Sequence, residues 1–438
     1  MDSSPAASHV VDEDALYRKV TWRLLPILLL CYLVAYLDRI NIGFAQVQMS
    51  KDLNFSAAVY GFGSGILFIG YLLFEVPSNA VLERIGARKT LARITLLWGA
   101  MSAGMMFVQT PMQFYVMRFL LGVAEAGFFP GVILYLTYWY PVERRAKIVA
   151  AFMTPIAFSG FIGGPVSGWI MQHLEGVNGW YSWQWMFLLE GIPSFVMAAV
   201  VMLFLDDRPS DARWLTAAEK ALVNRQAAPS PAHRQPFGAT FLALIRDASL
   251  YPMLLTYFAL ICGVVSTSSW IPTLLKAAFP DGTPQQIGLL TAIPFGLGGI
   301  GMVWIGRRSD RTDERRWHCT LSLLAGACGL ALLAWSKDSL ATTVFAMSLA
   351  SVGIFAGFPT FWAAVTTQLS VAVAASGIAL ISSVGLIGGF VSPIVIGFVK
   401  TQTGSFAGGL YAVAGVMLLG SIAVCASFAG KRHVARFA

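Results

Sequence analysis

Charged residues are scarce in this sequence. Asp, Glu, Lys and Arg make up 12% of the 438 residues, whereas hydrophobic residues make up 57% and the mean hydropathy is +0.68. Soluble domains contain roughly 25% charged and 45–50% apolar residues. The composition therefore excludes an ordinary soluble protein and indicates an all-α polytopic membrane protein.

Cysteine and histidine are also rare, with five residues of each. The cysteines are odd in number and lack paired or metal-binding spacing, and the histidines fall in predicted tails and loops or at a span end. Because no His, Cys and Asp cluster offers a nucleophile, a base or a metal site, we expect neither an enzyme nor a bound cofactor. The first 21 residues also lack the features of a removable signal peptide.

Long apolar stretches are abundant instead. A helix needs roughly 20 consecutive apolar residues to cross a membrane, and twelve stretches approach that length. We number them as spans one to twelve. They cover residues 22–44, 58–82, 91–108, 112–139, 149–172, 183–205, 250–275, 286–306, 319–335, 340–369, 375–400 and 404–429.

A polar interval with four prolines divides the spans into two groups of six. Within it, Thr216 is a candidate N-cap of a short helix. The predicted units are a cytoplasmic N-terminal arm at 1–21, a six-helix bundle at 22–205, a cytoplasmic linker at 206–247, a second six-helix bundle at 248–430 and a tail at 431–438.

The basic residues are unevenly divided between the two sides of the spans. With both termini in the cytoplasm, the outside loops hold only Lys51, Lys276, Lys337 and Lys400 of the 30 basic residues. Cytoplasmic loops carry such an excess of Lys and Arg. The net charge of +8 thus reflects orientation in a membrane and does not indicate a nucleic-acid partner. Short loops and tails favour a bacterial inner membrane.

Two arginines and two acids lie inside predicted spans: Asp38 and Arg39 in span one, Arg118 and Glu125 in span four. Each charge at the membrane centre costs about 2.5–3.5 kcal/mol, so we expect mutual pairing. Arg118, Gly122 and Glu125 share a helix face, but the helical rise separates the two charges by roughly 10 Å. In span one, we expect Arg39 to face a cavity and Asp38 to face a neighbouring helix.

Acidic and basic residues recur around a turn after the second span of each half, at 82–89 and 306–316. We interpret these loops as a salt-bridge latch at the cytoplasmic face. The repeated loop resembles the signature of the major facilitator superfamily, which implies twelve transmembrane helices in two six-helix bundles. The gating candidates are Glu83, Arg84, Arg88, Asp310 and Arg311.

Further segments sharpen the resemblance. They are Tyr-Leu-Asp-Arg-Ile-Asn at 36–41, Phe-Glu-Val-Pro-Ser-Asn at 74–79 and the stretch 118–130. Together they look like the anion:cation symporter branch, which includes bacterial tartrate, phthalate and galactonate permeases.

This branch resemblance implies roles for the charged residues. Arg39 would engage the substrate carboxylate, Asp38 and Glu125 would take up protons, and Arg118 would neutralise Glu125.

The resemblance also bears on the pocket walls. Tyr36 and Tyr71 match positions that line the pocket in this branch. Ser382 occupies a place where these permeases often carry a substrate-contacting Asn. It is a candidate substrate contact at which this sequence departs from the branch pattern. Trp270 and Trp362 lie beside prolines in spans seven and ten. They are predicted either as pocket walls or as core aromatics at a proline kink.

Charge arithmetic favours symport. The two arginines and two acids sum to zero when all are ionised, so the empty carrier returns without moving net charge. An added carboxylate needs one proton for neutrality, and a second proton lets the membrane potential drive the complex inward at about 2.3 kcal/mol per charge per 100 mV. We therefore predict proton-coupled uptake of a small organic anion. The branch resemblance implies a sugar acid, hydroxy-dicarboxylate or aromatic carboxylate. Two further acids, Glu75 and Glu190, fall near span ends, where we favour a role at the cytoplasmic latch or in outer helix packing over a coupling role.

Two other functions remain as alternatives. The segment 160–168 in span five, Gly-Phe-Ile-Gly-Gly-Pro-Val-Ser-Gly, resembles the glycine-proline motif of proton-driven drug exporters, although small residues in a spanning helix mostly serve close packing. A sensor that binds without transporting would want an appended signalling domain, and none is evident. The expected partners are a small organic anion and the lipid bilayer, and we expect a monomer.

Overall fold

The structure is a computed structural model that describes residues 12–227, 244–336, 339–369 and 374–428. Within these ranges the chain consists of α-helices joined by short loops and 3-10 turns. The predicted tail at 431–438, most of the linker after residue 227 and Lys337 lie outside the described residues.

The described helices fall into two groups along the chain. The first group is α1 (Glu13–Asp52), α2 (Ala57–Ile85), α3 (Ala87–Gly104), α4 (Pro111–Glu125), α5 (Phe128–Trp139), α6 (Val142–Phe152), α7 (Pro155–His173), α8 (Ser182–Phe204) and the linker helix α9 (Ala217–Ala227). The second group is α10 (Tyr251–Ala278), α11 (Pro284–Thr312), α12 (Arg316–Trp335), α13 (Leu340–Gln368), α14 (Ala374–Thr403) and α15 (Ala407–Ser427).

Eleven helical segments of the described chain are long and apolar enough to cross a membrane. They correspond to the predicted spans except for span three. That span falls on α3, which is shorter and packs between α8 and α4. The membrane-spanning all-α fold is confirmed, whereas the count of twelve spans and the cytoplasmic placement of the termini stay predictions.

Span four is one apolar run in the sequence but two helices in the structure. α4 ends at Glu125 and α5 begins at Phe128, because Gly127 takes a φ of 86°, which glycine adopts without strain. A Cβ atom at Gly127 would also lie 2.6 Å from Ser78. The break places Glu125 at the C-terminal end of a helix.

The linker helix α9 marks one end of the molecule. Its N-cap is Thr216, whose hydroxyl accepts from the Glu219 backbone N–H at 3.3 Å, while the Glu219 carboxylate accepts from the Thr216 backbone N–H at 2.7 Å. Glu219 also binds Lys19 near the start of α1, with 2.9 Å between Nζ and Oε2. We call this the linker end, and the opposite end, formed by the loops 53–56, 174–181 and 279–283, the distal end.

Three helix pairs join the two bundles: α7 with α11, α2 with α14, and α1 with α10. Their close approaches lie toward the distal end. A Cβ atom at Gly164 of α7 would lie 2.6 Å from the Gly288 carbonyl oxygen of α11, and one at Gly43 of α1 would lie 2.8 Å from the Ser268 carbonyl oxygen of α10. Glycines therefore let the backbones of the two bundles meet.

Neutral hydrogen bonds reinforce this distal contact. The Tyr60 hydroxyl donates to the Ser269 carbonyl at 3.1 Å, and the Ala58 backbone N–H donates to the Thr401 hydroxyl at 2.9 Å. Each bond joins α2 to a helix of the other bundle, so the distal end is closed.

α2 separates from its partner toward the linker end. Its first half is largely buried, but beyond Tyr71 the exposed fractions rise to 58% at Leu73 and 71% at Val76. We interpret the space between the bundles as closed at the distal end and as open toward the linker end. Under the orientation predicted from the basic residues, this is an inward-facing state.

Candidate functional site

A pocket of about 140 Å³ lies between the two bundles. α1, α2 and α4 supply its charged wall, and α10, α13 and α14 supply the opposite wall. The charged residues that line it are Arg39, Glu75, Arg118 and Glu125.

Arg39 and Glu125 form an ion pair on the pocket wall. Arg39 Nε donates to Glu125 Oε2 at 2.7 Å, and its Nη2 lies 2.5 Å from the same oxygen. The Glu125 side chain is 2% exposed and that of Arg39 is 24% exposed. The second carboxylate oxygen, Oε1, is buried without a hydrogen-bond partner. Arg39 is thus the accessible member of a half-satisfied pair.

Two tyrosines hold the Arg39 guanidinium from its sides. Its central carbon lies 5.2 Å from the Tyr36 ring centre and 5.5 Å from the Tyr71 ring centre, within the range of cation–π attraction. Tyr36 in turn packs edge-on against Tyr32, with ring centres 5.0 Å apart. The predicted positions of Arg39, Tyr36 and Tyr71 on the pocket agree with the structure.

Arg118 does not bind Glu125 in this conformation. It lines the pocket at 3% exposure, and its Nε donates to the Gly63 carbonyl of α2 at 3.3 Å. It forms no ion pair within the described chain. In this conformation Arg39, and not Arg118, therefore neutralises Glu125. A residue on another helix can lie at the same depth in the bundle as Glu125, whereas Arg118 lies about two turns away on the same helix.

Asp38 lies behind the pocket wall. It is 1% exposed and accepts hydrogen bonds from Ser102 at 2.8 Å and from Ser194 at 3.3 Å. Ser194 also accepts from the indole N–H of Trp98 at 2.7 Å, and Trp98 lines the pocket. As expected, Asp38 faces neighbouring helices, and this chain of hydrogen bonds connects it to the pocket.

Glu190 forms a second buried acidic position in the first bundle. It is 5% exposed and accepts from the Ser167 hydroxyl at 2.6 Å, while its Oε2 has no hydrogen-bond partner. Asn41 lies beside it. The bond joins α8 to α7, which agrees with the predicted packing role.

The opposite wall of the pocket is largely aromatic and neutral. Ser382 lines it as predicted, together with Tyr257 and Phe358. Trp362 packs behind Tyr257, with ring centres 4.9 Å apart, and Trp270 is fully buried against Tyr60 at 5.0 Å. The structure thus places Tyr257 and Phe358, and not the two tryptophans, on the wall.

The predicted latch is only partly assembled in this conformation. Asp310 Oδ1 binds Arg315 Nη1 at 2.6 Å, and Arg315 was not among the gating candidates. The backbone N–H of Arg88 donates to Asp207 at 2.8 Å.

The remaining gating candidates, Glu83, Arg84 and Arg311, are exposed. No ion pair between the two bundles involves them among the residues that the structure describes. Such a state agrees with an open linker end, and their gating role stays a prediction.

Glu75, for which the sequence favours a latch or packing role over a coupling role, lies on the pocket wall. The sequence contained a signal for this position. Tyr71 and Glu75 are four residues apart on α2, so they share a helix face, and Tyr71 already matched a pocket position. Among the described residues, no group of three or more His, Cys, Asp and Glu side chains could hold a metal ion.

Two helical bundles around a charged pocket that opens at one end define a membrane transporter. The family model described as Major Facilitator Superfamily matches residues 28–393, and the chain belongs to that family. It is a multi-pass membrane protein that acts on a small molecule and is not an enzyme.

Two curated bacterial relatives are similar along nearly the whole chain. A protein of Agrobacterium vitis described as a tartrate transporter is 43% identical over 410 residues, which cover 94% of this chain and 90% of the relative. A quinolone resistance transporter of Acinetobacter baumannii is 39% identical over 411 residues, which cover 94% of each chain. These relatives are consistent with a bacterial inner membrane.

The solved structures agree on the fold. A bacterial homologue of the human lysosomal transporter Spinster, in an inward-facing and unoccupied conformation, superposes with a TM-score of 0.75 at 16% identity, covering 95% of this chain and 98% of that chain.

Proposed function

We propose that the protein takes up a small organic anion together with protons by alternating access. The observation that carries this proposal is the Arg39–Glu125 pair. Arg39 is the exposed member, lies in the central pocket and is held between two tyrosines. Guanidinium groups bind carboxylates through paired, charge-assisted hydrogen bonds. A substrate carboxylate therefore has a prepared partner.

Substrate binding and proton uptake are linked through competition for Arg39. A substrate carboxylate that takes the guanidinium leaves Glu125 as a buried acid without a cation. Such a charge is costly, and Glu125 also ends α4, where the helix dipole disfavours negative charge. Protonation of Glu125 removes both penalties, so the anion and the proton bind together.

Asp38 is the second proton site in this proposal. It is buried without an ion-pair partner in the described chain and is held by two hydroxyl groups. The Asp38 charge contributes to the net charge of the two arginines and two acids, although the Asp38 side chain does not touch the pocket. One chain supplies both bundles and the whole pocket, so a monomer is a sufficient transport unit.

The tartrate transporter relative suggests hydroxy-acids as first substrates to test. In proteoliposomes, we expect an inward proton gradient to drive uptake of labelled tartrate or gluconate, and we expect Arg39→Ala to abolish uptake. Arg39→Lys tests the paired hydrogen bonds, because Lys keeps the charge but loses the planar fork. Uptake that persists in Arg39→Ala would overturn the proposal.

Drug export is the second candidate function, because one relative is a quinolone resistance transporter. The glycine-proline segment of α7 does not add support, since Gly164 and Gly168 pack against α11. Counterflow of labelled organic acids, compared with cationic dyes, separates the two functions. Exchange of the acids supports uptake, and exchange of dyes alone supports export.

A further inference from the structure

The Glu75 carboxylate is a pocket group without a partner. Its backbone carbonyl accepts from the Asn79 side chain at 3.0 Å, but its carboxylate makes neither a hydrogen bond nor an ion pair with any residue in the described ranges. It is partly buried on the pocket wall. An acid that lines a cavity in this way is available to a ligand.

Glu75 and Arg39 lie at two ends of one stretch of wall. Tyr71 packs against Arg39 at 5.5 Å, and Glu75 follows one helical turn later, roughly 6 Å along α2. The direction from Arg39 to Glu75 runs toward the open linker end, where the exposure of α2 rises. The pocket therefore has a cationic pole deep inside and an acidic pole nearer its opening.

The phenols of Tyr71 and Tyr257 are close enough to interact electrostatically with Glu75. Tyr71 belongs to the first bundle and Tyr257 to the second. Glu75 thus lines the same pocket as residues of both bundles.

We propose that Glu75 accepts hydrogen bonds from hydroxyl groups of the substrate whose carboxylate Arg39 holds. The substrate class is then a hydroxy-carboxylate, with its hydroxyl groups extending from Arg39 toward the linker end. This inference rests on the proposed function and names the feature that its substrates share.

Other substrate types fit the two poles less well. A purely apolar tail would leave the Glu75 carboxylate partly desolvated without a donor, which costs free energy. A second carboxylate, with no hydroxyl groups between it and the first to bind Glu75, would leave Glu75 facing an acid and no donor. Hydroxyl donors instead form hydrogen bonds to a charged acceptor, which are stronger than neutral ones.

The test is calorimetric binding to the purified full-length protein, with two matched ligand pairs: tartrate against succinate, and gluconate against hexanoate. Each pair differs in its hydroxyl groups. In the wild type we expect the hydroxylated member to bind roughly tenfold more tightly or better. In Glu75→Leu, we expect this preference to fall to about twofold or less, because tartrate and gluconate lose their acceptor while succinate and hexanoate bind at least as tightly as before.

Glu75→Gln provides a second variant that keeps an acceptor oxygen, and it should retain part of the preference. Glu143→Leu is the matched control, because Glu143 is an exposed acid of α6 outside the pocket. Thermal melting checks that each variant is folded. A preference that remains unchanged in both Glu75 variants overturns this inference. If the wild type binds none of the four ligands more tightly than Arg39→Ala does, the proposed function is overturned instead.

Discussion

Glu125 is bound by Arg39 of α1 and not by Arg118, which lies seven residues earlier in the same apolar span. Two nitrogens of the Arg39 guanidinium, Nε and Nη2, bind the same oxygen of Glu125, Oε2. Arg118 turns instead to the Gly63 carbonyl of α2. The pocket wall of the first bundle therefore carries the Arg39–Glu125 ion pair and, in Arg118, a buried cation without a counter-ion among the described residues.

Glu125→Gln should strengthen anion binding. The variant removes the internal carboxylate that competes for Arg39, and a hydrogen bond between charged groups contributes about 1.5–3 kcal/mol. We expect the dissociation constant for tartrate to fall by roughly tenfold.

In proteoliposomes the same variant should exchange labelled for unlabelled substrate but should no longer accumulate it along a proton gradient. Glu143→Gln, an exposed acid far from the pocket, is the control. Uptake by Glu125→Gln that stays fully proton-driven would contradict the coupling role of this residue.

Gly122→Ala should destabilise the first bundle. A Cβ atom at Gly122 of α4 would collide with the backbone carbonyl of Leu67 in α2, and backbone cannot move aside as a flexible side chain can. Overpacking of this kind costs about 1–3 kcal/mol. The melting temperature in detergent should fall clearly below that of the wild type.

The matched control is Gly415→Ala in α15, because a Cβ atom there meets nothing within 4 Å. In open space this change reduces the entropy of the unfolded chain, so its stability should stay equal or rise slightly. Equal destabilisation by both substitutions would show that the Gly122 contact is unimportant.

The sequence was sufficient to locate the apolar spans but not to identify which residues contact each other across different helices. Hydropathy located the apolar segments, yet the interruption of span four depends on the left-handed backbone at Gly127, and a lone glycine inside an apolar run does not reveal that. α3 is shorter than the eleven candidate spans and does not stand out as a span on length and hydropathy. The helical period correctly separated the directions of Asp38 and Arg39.

The composition of the pocket depended on contacts between helices. The sequence identifies neighbouring side chains reliably only within one helix, at positions three or four residues apart. Arg118 was therefore the nearest candidate in the sequence for the ion-pair partner of Glu125. The Arg39–Glu125 pair joins residues 86 positions apart. Tyr257 and the wall position of Glu75 likewise required the packing of the two bundles.

Gly164→Val should disturb the closed distal end. A side chain there would press on the Gly288 carbonyl of α11, which lies 2.6 Å from the position of a Cβ atom. We expect the two bundles to separate at this end and the population to shift toward the opposite conformation.

Spin labels at Lys51 and Gln402, which are exposed near the distal ends of α1 and α14, would report a longer distance in the variant than in the wild type. Gly415→Val is the control for a bulky side chain in an open position. An unchanged distance distribution in Gly164→Val would show that the α7–α11 contact does not hold the gate.

Asp38→Asn should separate binding from coupling. Asp38 lies behind the wall and contacts Ser102 and Ser194, so its loss of charge leaves the Arg39 site intact. We expect the dissociation constant for tartrate to remain within about threefold of the wild type, below the roughly tenfold effect of a charged hydrogen bond. Proton-driven accumulation should be lost. A large loss of affinity would place Asp38 in the substrate site instead.

The most direct measurement of the central claim is the number of protons taken up when the anion binds. Calorimetric titration of purified protein with tartrate, repeated at one pH in buffers of different ionisation enthalpy, yields this number from the slope of the heats. The account predicts uptake of about one proton per anion in the wild type through Glu125, and markedly fewer in Glu125→Gln. Equal proton uptake in both proteins, or tight binding without protons in the wild type, would contradict the claim that substrate displaces Glu125 from Arg39.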